Sequence, residues 1–288
     1  MWIWAFCGFA LVAVGLSEVF RTLLHPVGRG RLTRLVARGV WRACAGFGRP
    51  GLVLAGPFGV VAVILLWACL QIVGWALIYL PDVPDGFSYS PGLHPEDYPD
   101  VLEALYFSAV SLSTLGLGDV AGSSPWVRFL NPLESIIGFA LLTAAVSWFM
   151  ELYPGLRRRR ALALRLALLE RAGFADGLHH GDATVAATTL HSLAADLAQV
   201  RLDLTQSSES YFFSEGDREI SLPAMLPFAR RLSAQAASSG DASVRTAGAV
   251  LDAAVDDFAR ELCTEFALPA RTTDEILRVY AARHGQSA

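Results

Sequence analysis

Charge is scarce in this chain of 288 residues: 17% are Asp, Glu, Lys or Arg, against 53% hydrophobic, and the mean hydropathy is +0.43. Soluble domains carry about a quarter charged residues, so an ordinary soluble protein is excluded and membrane spans are expected. The four cysteines, Cys7, Cys44, Cys69 and Cys263, lie far apart with no CxxC, which argues against a disulfide framework or a zinc site. A net charge of −4 offers nothing to nucleic acid. No nucleophile stands beside a base and no metal set presents itself, so the expectation is a non-enzyme without a cofactor.

Three apolar stretches punctuated by arginines organise the chain. Trp2 to Leu16, extendable through Val19 and Phe20 to Leu24, is about long enough to cross a hydrocarbon layer of roughly 30 Å. Lacking the basic start of a signal peptide, it is read as a retained span, residues 1–24. Its weak point is Glu18, which either lies near the interface or faces protein, with Arg21 one turn away as a partner. Arg21 to Arg49 then holds seven arginines and no acid, the mark of a cytoplasmic segment, residues 25–50. Arg31, Arg34, Arg38 and Arg42 fall opposite Leu32, Val36, Val40 and Phe47, which predicts an amphipathic helix along the inner membrane surface. Trp41 sits on the basic side, and a linker helix packed on a cytoplasmic domain is the alternative.

No charge occurs between Gly51 and Leu80, and Trp75 and Tyr79 lie toward its outer end, where amphipathic rings are favoured. Pro81 to Asp100, rich in proline and aspartate and without arginine, reads as an irregular external loop. A third span, Pro132 to Tyr153, ends on Arg157, Arg158, Arg159 and Arg160. The expected topology is a multi-pass protein of the cell membrane, N-terminus outside and C-terminal domain cytoplasmic.

Between the second and third spans lies YFSAVSLSTLGLGDVAG, Tyr106 to Gly122, too short and too polar to cross. It must enter and leave from one face, and irregular backbone at membrane depth is tolerated only where it lines a water-filled path inside protein. Asp100 and Glu103 suggest a capping-box start for a short helix, 101–113, whose negative dipole end favours a cation. Thr114-Leu115-Gly116-Leu117-Gly118-Asp119 follows. Alternate glycines allow successive carbonyls to point to one side, and four such strands around an axis would replace the water shell of a cation.

These residues resemble the pore domain of potassium channels, whose signature is a pore helix followed by T-x-G-Y/F/L-G-D; the resemblance covers Gly51 to Tyr153. It implies an all-α membrane protein with a potassium-channel-like pore module, 51–153, followed by a soluble helical C-terminal domain, 154–288. Within the module it implies an outer helix 51–80, loop 81–100, pore helix 101–113, filter 114–119 and inner helix 130–153. Thr114, Leu115, Gly116, Leu117 and Gly118 would coordinate K+, the permeant ion, and Ser113 and Asp119 would support them. Trp126 and Arg128 resemble the start of the inner helix, and Gly138 falls where these channels place a hinge. Leu117 stands where tyrosine is commonest, and Val110 where some relatives have a buried glutamate.

One loop is one quarter of a filter, so a homotetramer in the lipid bilayer is expected, conducting K+ passively. Alternatives are a weakly selective cation channel and a membrane-anchored scaffold or sensor with a vestigial pore. Glu134 has two readings: with Asn131 and Pro132 it starts the inner helix, slightly favoured, or it lies behind the filter and braces the pore helix. Val146, Phe149 or Met150 would narrow the inner mouth.

Beyond Arg160, Leu190, Leu193, Leu197, Val200 and Leu204 form one helix stripe and Ala247, Leu251, Ala254, Phe258 and Leu262 another. Thr272 and Glu275 predict a capping box. Asp176, His179, His180 and Asp182 read as a solvated connector rather than a metal site. Ser208 to Glu219, SESYFFSEGDRE, reads as a loop with exposed aromatics that meets a neighbour. No GxGxxG turn or EF-hand identifies a regulator, so a regulatory ligand or protein at this domain stays unnamed. No arginine-studded span marks a voltage sensor, and opening is expected from domain movement, membrane tension or a change in the filter.

Overall fold

The computed structural model describes residues 2–23, 30–178 and 181–286. His179 and His180 therefore lie outside the described residues. Ten α-helices, three short 3-10 helices and two short strands follow one another among those described. In order they are α1 (Trp2–Leu23), α2 (Arg31–Ala45), α3 (Gly48–Tyr79), β1 (Phe87–Tyr89), α4 (Asp100–Leu112), β2 (Val120–Gly122) and α5 (Pro125–Arg171). The chain continues with α6 (Phe174–Gly177), α7 (Ala183–Gln206), α8 (Leu222–Ala237), α9 (Ala242–Phe266) and α10 (Thr273–Arg283). Three stretches are long and apolar enough to cross a membrane, Ile3–Leu23, Gly48–Asp82 and Pro125–Arg171. The protein is a mostly helical, multi-pass membrane protein with a large helical C-terminal region.

Two compact units divide the chain. The first comprises residues 1–36 and 60–150. In it α1 lies on α3 through small residues: a Cβ on Gly8 would strike the Gly74 carbonyl, and one on Gly74 would strike Val12. Close backbone approach of this kind is how helices associate where lipid removes the hydrophobic drive. The buried Gln71 side chain donates to the Val12 carbonyl at 3.2 Å, tying the two spans together. Glu18 does not pair with Arg21. Its carboxylate is buried and accepts the backbone N–H groups of Arg31, Leu32 and Thr33 at 3.1, 3.2 and 3.5 Å. An acid from the first span thus caps the start of α2, where unpaired donors and the positive dipole end favour a carboxylate.

The segment expected to be irregular contributes β1 to an antiparallel pair with β2, in the register Phe87↔Gly122, Ser88↔Ala121, Tyr89↔Val120. Phe87 meets Tyr79 of α3 and Phe107 of α4 edge-on, centroids 6.4 and 4.8 Å apart, within a core completed by Trp75, Val127 and Leu130. Edge-to-face rings are the favoured aromatic geometry. This cluster fixes both ends of the 113–119 loop.

The second unit comprises residues 37–59 and 151–288. The stripe Leu190, Leu193, Leu197, Val200 and Leu204 of α7 is buried, as are Ala247, Leu251, Phe258 and Leu262 of α9. Asp182 caps α7 by accepting from Thr184 and Val185, Asp241 caps α9, and Thr272 with Glu275 forms the capping box of α10. Trp41 is explained here: it packs on Tyr211, Phe212 and His284 at 5.1–6.2 Å. The later half of α2 is thus a docked helix, while Leu35 and Phe47 stay exposed.

Ser208 to Glu215 is buried, contrary to the expected exposed loop. The reason lies in α5. Arg159, 4% exposed, donates to the Ser210 and Phe213 carbonyls and to Glu215, each at 2.7 Å. Arg158 grips Asp203 through two bonds of 2.7 Å. Part of the arginine run read as a topology signal is therefore the anchor of the domain's aromatic centre.

Candidate functional site

The loop between α4 and β2 is built on a short helix whose start is fixed by Pro99, not by the expected capping box. Pro99 is extended (φ −63°, ψ 137°), its carbonyl takes the Leu102 and Glu103 N–H groups, and no side chain caps the helix. Asp100 then sits in the first turn, where the dipole favours an acid, and Glu103 turns inward. At the other end Ser113 Oγ donates to the Val110 carbonyl at 3.1 Å.

From there the backbone alternates. Thr114, Gly116 and Gly118 have φ of +57°, +56° and +77°. A left-handed threonine costs about 1–2 kcal/mol. A Cβ on Gly116 or Gly118 would meet nothing, so the dihedral and not space demands glycine there. Residues 113–118 are all exposed in the single chain, Leu115 by 63% and Leu117 by 58%.

Three hydrogen bonds from two residues hold the loop. Tyr106 of α4 donates its hydroxyl to Asp119 Oδ2 at 2.5 Å, which holds the Asp119 carboxyl below the usual carboxylate range. Ser90 donates its N–H to the Asp119 carbonyl at 2.8 Å and its hydroxyl to Gly118 at 3.4 Å. Tyr106 was missed in the sequence; the signal was a phenol on the helix that precedes an acid-ended loop. It braces the loop to its helix without the phenol that Leu117 lacks.

Glu134 is fully buried. The helix it belongs to begins at Pro125, not at residue 130 or Asn131, so local capping is overturned. Instead Ser108 of α4 donates to Glu134 Oε1 at 2.6 Å, and the carboxylate also faces the Tyr79 hydroxyl. Glu134 thus meets α4 and does not cap its own helix. Ser135 adds a second fastening, donating to the Ser111 carbonyl at 3.0 Å. Helix α5 runs through Pro132 although proline cannot donate to the Arg128 carbonyl one turn back.

Gly138 lies in unbroken helix. A Cβ there would overlap the Leu112 carbonyl oxygen, so glycine lets the C-terminal end of α4 rest directly on α5. Val127, Leu130, Glu134, Gly138, Leu141, Ala145, Trp148 and Leu152 form the buried stripe of α5. Val146 and Met150 lie on the exposed side, at 53% and 69%, with Phe149 beside them at 46%.

Residues 62–153 match the model of a family described as "Ion channel". The chain is 26% identical over 170 residues to "Uncharacterized membrane protein YdjJ" of Bacillus subtilis (strain 168), covering 58% of this chain and 49% of that protein. The chain thus spans about half the length of the curated relative it matches. No solved structure matches. Ion transport through a pore involves no covalent chemistry, and no three His, Cys, Asp or Glu side chains among the described residues are grouped to hold a metal. The chain is similar, over its loop and the adjoining parts of α3 and α5, to the family described as an ion channel.

Proposed function

We propose that the chain is one subunit of a homotetrameric channel that conducts K+ passively and selectively, with Thr114, Leu115, Gly116, Leu117 and Gly118 as the ion path. The observation that carries this is the alternation of left-handed backbone at Thr114, Gly116 and Gly118 in an exposed, braced loop. Such alternation turns successive carbonyls to one side, and a ring of four copies supplies the oxygen cage a dehydrated cation needs. Exposed faces on the loop and on α5 are where copies and lipid would meet. The N-terminus lies outside, residues 25–50 and 154–288 in the cytoplasm, and residues 51–153 form the pore module. Val146, Phe149 and Met150 would form the inner constriction, and Gly138 would combine close packing with any bend of α5.

A weakly selective cation pore is favoured by one observation, Leu117 in place of a bracing phenol; Tyr106 on Asp119 supplies a brace by another route. The test is flux from liposomes holding the full chain, under separate K+ and Na+ gradients, beside Gly116→Asp. Potassium-preferring flux lost in the variant supports the proposal. Equal flux of both ions supports the weakly selective pore, and protein that is folded and tetrameric yet passes neither ion in any gradient returns the scaffold reading.

A further inference from the structure

Beside the loop, and lined by none of Thr114 to Gly118, is a cavity of about 380 Å³ between α4, β2 and the segment after β1. Its volume falls in the range of small-molecule sites, roughly 300–1,000 Å³. Three tyrosines, Tyr89, Tyr98 and Tyr106, share the wall with Glu103, Asp119 and His94. Three polar atoms in that wall are buried and lack a hydrogen-bond partner: Glu103 Oε2, Asp119 Oδ1 and the Tyr89 hydroxyl. Glu103 is 9% exposed. The Tyr89 hydroxyl is the one group set against Glu103; buried carboxylate oxygens short of donors are costly, and two carboxylates lining one cavity favour a donor that also carries positive charge.

A metal ion does not suit this wall, since no three ligating side chains are grouped there. Phenol rings attract an organic cation through their faces, and N–H groups satisfy carboxylate oxygens. Burial, and then the neighbouring Glu103, raise the Tyr89 phenol above its usual range, so that ring stays neutral at physiological pH. His94 is exposed at the rim.

We propose that this cavity binds a small organic cation bearing N–H donors, a primary ammonium or guanidinium on an apolar body. The cation donates to Glu103 Oε2 and to Asp119 Oδ1, the oxygen that Tyr106 leaves unused, and rests against the tyrosine faces. Binding there adds a contact to the acid that ends the loop. The site goes beyond the proposed conduction and does not depend on it, because it is read by binding alone.

Benzylammonium is the probe and benzyl alcohol its neutral control, titrated calorimetrically into the full chain in lipid nanodiscs at high potassium. Saturable binding of the ammonium and none of the alcohol is expected, at least tenfold weaker in Glu103→Gln. Tyr98→Ala, at an exposed position, keeps the fold whatever Glu103→Gln does and is expected to weaken binding several-fold. Equal binding of the alcohol, no binding, or binding that both variants leave unchanged and potassium displaces would overturn the site, the last indicating a block of the ion path. Binding that appears only in Arg128→Gln would also overturn it, by assigning the cavity to a guanidinium of a second copy.

Discussion

At the scale of single residues, backbone demands and buried charge decide which positions tolerate change. Gly138 has no room for a methyl group against the Leu112 carbonyl. Gly138→Ala is therefore expected to cost about 1–3 kcal/mol through overpacking and to lower ion flux, because the end of α4 must move; thermal unfolding beside liposome flux checks both. Arg159 is a different case. Arg159→Ala leaves the Glu215 carboxylate buried with only Arg160 at 3.3 Å and takes the arginine donors from the Ser210 and Phe213 carbonyls, an expected loss of about 3–5 kcal/mol. Chemical denaturation of the full chain measures it. Tyr106→Phe removes only a hydroxyl, on an exposed side chain, and is expected to leave stability near that of the native chain while shortening the time the loop stays conductive in single-channel records.

At the scale of elements, local patterns were legible where one helix carries its own signal. The capping box of α10 stands where Thr272 and Glu275 are four residues apart by inclusive count, and Thr272→Ala is expected to cost about 1 kcal/mol, read as a lower unfolding midpoint. The leucine stripe of α7 was equally plain, since a period near 3.6 needs no knowledge of the partner. The start of α5 was misread because Asn131-Pro132 has the order of a helix start, yet proline at 132 is accommodated inside a longer helix beginning at Pro125. Trp41 and the Ser208–Glu215 stretch were misread for one shared reason. Their partners, Tyr211, His284 and Arg159, lie dozens of residues or more away, and no local period reports contacts of that range. In the candidate site, the glycine alternation was visible in the sequence and Tyr106 left the weak signal of a phenol before an acid-ended loop, while Ser108 and Ser135 were invisible because each acts by a hydrogen bond across elements.

At the scale of the molecule, the helical C-terminal unit contains a proton-sensitive centre. His284 is buried between the Tyr280 and Tyr211 carbonyls at 2.9 and 2.8 Å, with Trp41 and Tyr211 rings around it. Burial pushes its imidazole down to about 4, partly offset by the two carbonyls. Unfolding restores a value near 6.5, so the unfolded chain takes up the proton first as pH falls. Stability is then full above pH 6.5 and lost progressively toward pH 4, by up to about 3 kcal/mol. Unfolding temperature between pH 7.5 and 5 is expected to drop in the native chain and to flatten in His284→Gln.

The pore itself is tested most directly by the reversal potential of the purified full chain in a planar bilayer, with K+ on one side and Na+ on the other. A potential displaced strongly to the side expected for K+ permeation, and absent in Gly116→Asp, is the predicted result. A native current that reverses near zero would contradict potassium selectivity and leave only the coarser description, a cation path through a membrane protein.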